Sequence, residues 1–119
     1  MKFRLWLAPL LIVAGTPAIA NESLSLTVSP RRAFAPASVN VRVRIAPDAD
    51  NRAIAISASS AQYFRSSEMP LEGDRAPRTI ELQFRDIPDG NYEVFATLLK
   101  GGGRRQVAVH QQMEVLSRD

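Results

Sequence analysis

His110 is the only histidine of the chain, and there is no cysteine to join it. Chemistry here must therefore be built from one imidazole, carboxylates, hydroxyls and guanidinium groups. A serine hydrolase needs a nucleophile on a sharp turn beside its histidine. Ser57, Ser59 and Ser60 stand instead among small residues, with no Gly-x-Ser-x-Gly turn. Zinc takes three or four nitrogen or sulfur donors, more than this composition holds. Copper could draw on His110, Met69 and Met113, but Met113 falls on the opposite face of its strand from His110. Asp48, Asp50 and Asn51 alternate oxygen side chains as calcium loops do. A full calcium shell needs further oxygens, and Asp86 and Asp89 belong to the far end of a sandwich. Tyr63 and Phe64 offer one outward ring, short of the flat aromatic row that a sugar site uses. The residues predict no catalytic set, no metal site and no cofactor.

The first twenty residues read as a leader. Met1-Lys2-Phe3-Arg4 is cationic, Leu5 to Ala14 is apolar, and Ala18 and Ala20 are small, as a signal peptidase requires. The apolar run is shorter than the ~20 residues that span a bilayer. This predicts a signal peptide over 1–20 and one domain over 21–119, periplasmic or secreted. Beyond Ala20 the chain carries thirteen basic against twelve acidic residues. That balance excludes the concentrated positive surface of a nucleic-acid protein. With no disulfide available, packing alone must hold the domain.

From Leu24 onward the hydrophobic period is two. Leu24, Leu26 and Val28 alternate with polar residues, as do Val39, Val41, Val43 and Ile45. Ala53–Ala58, a short Gln62–Arg65, Thr79–Arg85, Tyr92–Leu99 and Val107–Val115 complete about seven strands. Residues 66–77 hold Pro70, Gly73 and Pro77 and read as loop, with at most a short edge pairing. The pattern predicts an all-β fold, a two-sheet antiparallel sandwich, with a closed barrel as the alternative. Arg42 is expected to face Glu81 across two paired strands.

Ile87-Pro88-Asp89-Gly90-Asn91-Tyr92 is a Pro/Gly turn that opens a strand with tyrosine, and Leu98 to Gly103 ends that strand in a glycine hairpin. Together they resemble the immunoglobulin-like and fibronectin type III-like domains of bacterial secreted proteins. The resemblance implies a tyrosine corner, with Tyr92, Pro88 and Gly90 as structural residues. It also sets Ala53, Ala55, Phe95, Leu99, Ala108 and His110 together on the outer face of one sheet. That face is small and apolar, a candidate contact site for a protein partner or a second copy, unless residues 66–77 cover it. The expected function is a non-catalytic periplasmic binding or accessory domain, not an enzyme. The alternative is a small periplasmic carrier of a metal or a carbohydrate. Export should yield a mature chain beginning at Asn21. Intact-mass measurement checks this, and soluble protein retaining Met1–Ala20 would refute the leader.

Overall fold

A computed structural model describes residues 19–20, 23–101 and 106–118, and of 19 and 20 the backbone alone. Nine strands follow one another: β1 (Ile19–Ala20), β2 (Leu24–Ser29), β3 (Arg32–Phe34), β4 (Ala37–Ile45), β5 (Asn51–Ser59), β6 (Phe64–Pro70), β7 (Thr79–Ile87), β8 (Gly90–Lys100) and β9 (Gln106–Leu116). Among the described residues there is one 3-10 turn, Gly73–Arg75, and no α-helix. One sheet has the order β1-β2-β4-β7 and the other β3-β9-β8-β5-β6.

The period of two is the physical reason for both sheets. Successive side chains of a strand point to opposite faces, so β4 alternates buried and exposed residues along its whole length. Leu24, Leu26, Val28, Val39, Val41 and Val43 from one sheet meet Ile54, Ile56, Val94, Ala96 and Leu98 from the other, all buried. Each such Val, Leu or Ile contributes roughly 1.5–3 kcal/mol of gross burial energy. Arg42 faces Glu81 in the β4–β7 register, and its guanidinium lies 2.7 and 2.9 Å from one carboxylate oxygen. Both side chains are exposed, so the pair is worth under about 1 kcal/mol.

The architecture corrects the expected one in three respects. The described residues form nine strands, and the two sheets, one curled toward a half-barrel, do not make a plain seven-stranded immunoglobulin sandwich. β3 pairs with β9 in parallel, so the domain is not wholly antiparallel. Phe64–Pro70 is an edge strand along β5, where mostly loop was expected. Its pairing is made by backbone, and Pro70, which has no N–H, is tolerated at a sheet edge. Residues 66–70 thus extend the five-stranded sheet sideways and do not lie over its outer face.

The turn before β8 sets the register of that sheet. Gly90 has φ +152°, in the region that favours glycine, and a Cβ there would come within 3.3 Å of the Tyr92 ring. Tyr92 is 2% exposed, and its hydroxyl donates to the Pro88 carbonyl at 2.8 Å. The Tyr63 ring stands edge-on to it at 6.3 Å. Burial raises the Tyr92 phenol above its ordinary 10.0, Tyr63 and Asp89 act in the same sense, and the Ser60 hydroxyl opposes them. The folded state thus favours the neutral phenol. Its contribution is complete below the unfolded value and is lost as pH rises through the folded one. Tyr92→Phe is expected to cost about 1–2 kcal/mol near neutral pH, for one buried hydrogen bond. Urea midpoints should also fall less steeply above pH 10 in Tyr92→Phe than in the parent.

Candidate functional site

β8 pairs with β5 on one side and β9 on the other, so its odd-numbered residues bring three strands to one outer face. Across that face run the rows Ser59–Glu93–Gln112, Ser57–Phe95–His110 and Ala55–Thr97–Ala108, and then Ala53–Leu99–Gln106. The six residues expected together, Ala53, Ala55, Phe95, Leu99, Ala108 and His110, all lie on this face. Phe95 is 38% exposed and stacks on the His110 ring, with centroids 5.3 Å apart and planes at 29°. His110 Nδ1 lies 3.1 Å from Glu93 Oε2. The carboxylate fixes the ring through one nitrogen and leaves Nε2 directed elsewhere, as an orienting acid does for a histidine that exchanges protons.

Beside this pair is an open groove of about 580 Å3. Arg31, Arg32, Asn91, Glu93, Gln112 and Glu114 line it, with Tyr92 and Met113 at its floor end. Arg32 Nε is 3.2 Å from Glu114 Oε1, and the Glu114 amide donates to the Arg31 carbonyl at 2.8 Å. Arg31 has no carboxylate partner among the described residues. Glu93 belongs both to the groove and to the histidine pair, and so joins them.

Glu93, Arg31 and Arg32 were not read as site residues. The β8–β9 register sets Phe95 across from His110 and Glu93, opposite Gln112, one step diagonal to it. The arginines reach the site through β3, a strand of three residues that periodicity cannot detect.

The other candidates do not assemble. Ser57 is two strands from His110, about 10 Å at ordinary strand spacing. Met113 is 3% exposed in the core while His110 is outside, and Met69 sits on the far edge strand. No group of three or more His, Cys, Asp or Glu occurs among the described residues. At the Asp48–Asn51 turn the positive charge is internal. Lys100, its side chain 4% exposed, places Nζ 2.8 Å from Asp48 Oδ2, while Asp48 Oδ1 accepts the Asp50 amide at 2.9 Å. An ammonium stands where a calcium ion was considered, and it would repel one. Phe64 is 64% exposed, whereas Tyr63 is turned toward Tyr92.

No family model and no curated protein matches the chain. Solved structures do. The superoxide reductase (neelaredoxin) from Ignicoccus hospitalis matches with TM-score 0.64 and 12% identity, over 80% of this chain and 81% of that one. Two variants of that protein match at TM-score 0.64 and 13% identity, over 79% and 80%. At this identity the likeness establishes the fold. It replaces the resemblance to immunoglobulin-like and fibronectin type III-like domains. It also goes against the expected non-catalytic contact domain or simple carrier, because the matched structures are named superoxide reductase. The fold alone does not bring a redox metal with it. With no thiolate, one imidazole and no three-ligand group among the described residues, the donor set does not fit such a centre.

The Lys100–Asp48 pair gives a direct test of the internal charge. Asp48→Ala leaves a buried ammonium unpaired and should cost about 2–3 kcal/mol, the low side for a buried pair because Asp48 is partly exposed. Lys100→Met should cost less, and adding it to Asp48→Ala should recover most of the loss in urea unfolding.

Proposed function

We propose that this chain is an acid–base enzyme domain that acts on a small anion at the outer face of its five-stranded sheet. His110 is the group that transfers the proton, and Glu93 positions it. The observation that carries this reading is the 3.1 Å contact between His110 Nδ1 and Glu93, made on the Phe95 ring at the rim of a groove that holds Arg31 and Arg32. A carboxylate-oriented imidazole can deliver a proton through its second nitrogen. Guanidinium groups attract an anion to within reach of it.

The solved relatives of the fold are named for reducing superoxide, a small anion. Its reduction to hydrogen peroxide consumes one electron and two protons. This chain's residues supply binding and protons, and the electron comes from a second superoxide, which leaves as dioxygen. That is the sense in which the fold supports a redox role here. The leader pattern of residues 1–20 supports a setting in the periplasm or beyond the cell.

Azide is a stable small anion with which to probe the groove. Titrating it at constant ionic strength should give saturable NMR shifts at His110, Arg31 and Arg32, with none at the distant Arg42. Superoxide decay to hydrogen peroxide and dioxygen should be faster with the protein than without it. His110→Gln should lower that acceleration by about ten-fold or more, the lower range for loss of a general acid. Absence of azide shifts, or equal decay with His110→Gln and the parent, overturns the reading.

A further inference from the structure

Among the described residues, β2 is flanked on one side by β4, and on the other only by the two residues of β1. Ile19 stands opposite Leu26 and Ala20 opposite Ser25. β1 also lies against β9. Among the described residues that strand is open at the same place, because β3 pairs only with Glu114–Leu116 and leaves Gln106–Met113 paired on the β8 side alone. One open edge from each sheet thus meets the other along a seam. The Val28 amide crosses the seam to Gln111 Oε1 at 3.2 Å. Val28 N–H therefore points away from β4, and by the alternation of antiparallel strands the N–H and C=O of Leu26 point the same way.

The leader pattern ends at Ala20, so the segment lying in the seam is the end of the leader. Cutting there removes the strand that faces Leu26. A backbone donor and acceptor are then left at an edge bordered by the buried Leu26 and Val28 side chains, a template for another strand. The new N-terminus cannot refill the place, since Asn21 lies only four residues before Ser25.

We infer that the β2–β9 seam is a strand-acceptor slot. It is filled by Ile19–Ala20 before processing, and afterwards by an extended peptide of a partner protein running antiparallel to β2. The inference rests on the leader and is independent of the His110–Glu93 site. β1 itself defines the peptide: an apolar residue across from Leu26, followed by a small one across from Ser25. Main-chain hydrogen bonds give such a strand its affinity, and alternate side chains give it specificity.

The test uses the full chain, exported and collected after processing, beside the same chain purified with residues 1–20 retained. The probe is a synthetic peptide with the sequence Val13 to Ala20. The Leu26 amide should exchange about ten-fold or more faster in the processed protein, as an edge deprived of its strand does. The peptide should restore slow exchange saturably, and the same peptide with Ile19→Pro should not. Equal exchange in the two forms, failure of cleavage, or no response to the peptide overturns the slot. A dimer that the peptide cannot dissociate assigns the edge to a second copy and overturns the peptide reading.

Discussion

The burial of Tyr92, with its hydroxyl held by Pro88, decides which face of β8 looks inward. Everything on the five-stranded sheet follows from that choice. A slip of one residue in β8 would turn Val94, Ala96 and Leu98 outward and carry Glu93 and Phe95 into the core. β5 and β9 take their registers from β8, so His110 meets Phe95 and Glu93 only while Tyr92 stays in place. The turn ahead of it, with Gly90 at positive φ, is thus the local geometry on which the distant site depends.

The two sheets are joined differently at their two margins. At one, Arg65 bridges them: its guanidinium donates to the Tyr63 hydroxyl at 3.0 Å and the Arg85 carbonyl at 2.8 Å, and lies over the Tyr63 and Phe84 rings. At the other, the chain changes sheets between β2 and β3, and the Gln111 side chain replaces the missing strand neighbour of Val28. Long side chains do the work there that backbone pairing does within a sheet. A domain without disulfides needs such closures, because two stacked sheets otherwise share only apolar contacts, which resist separation but not sliding.

What could be read from the sequence follows the strength of the period. β4 alternates without a break and was readable over nearly its full length, as were the inward residues of β5 and β8. β6 was readable only at its start, Phe64 and Arg65, because the rest is held by backbone pairing to β5 and its side chains carry no apolar alternation. β3, three residues between Pro30 and Pro36, is too short to show any period. The outer-face residues around Phe95 were legible because facing follows directly from alternation. The groove was not, because it is assembled by β3 against the end of β9, a parallel pairing that no local pattern encodes. Family resemblance misled for a similar reason: a Pro/Gly turn before a tyrosine solves a general problem of strand entry, and solves it in more than one kind of two-sheet fold.

Lys100 has a consequence for how the folded surface behaves as a chemical object. Beyond Ala20 it is the only lysine, and its ammonium is buried against Asp48. All other fixed positive charge is carried by guanidinium groups, which keep their protons throughout the range in which proteins remain folded. The positive charge of the described surface is therefore almost wholly guanidinium. Among the described residues, acylating and reductive-alkylating reagents aimed at primary amines meet only the shielded Lys100 ammonium.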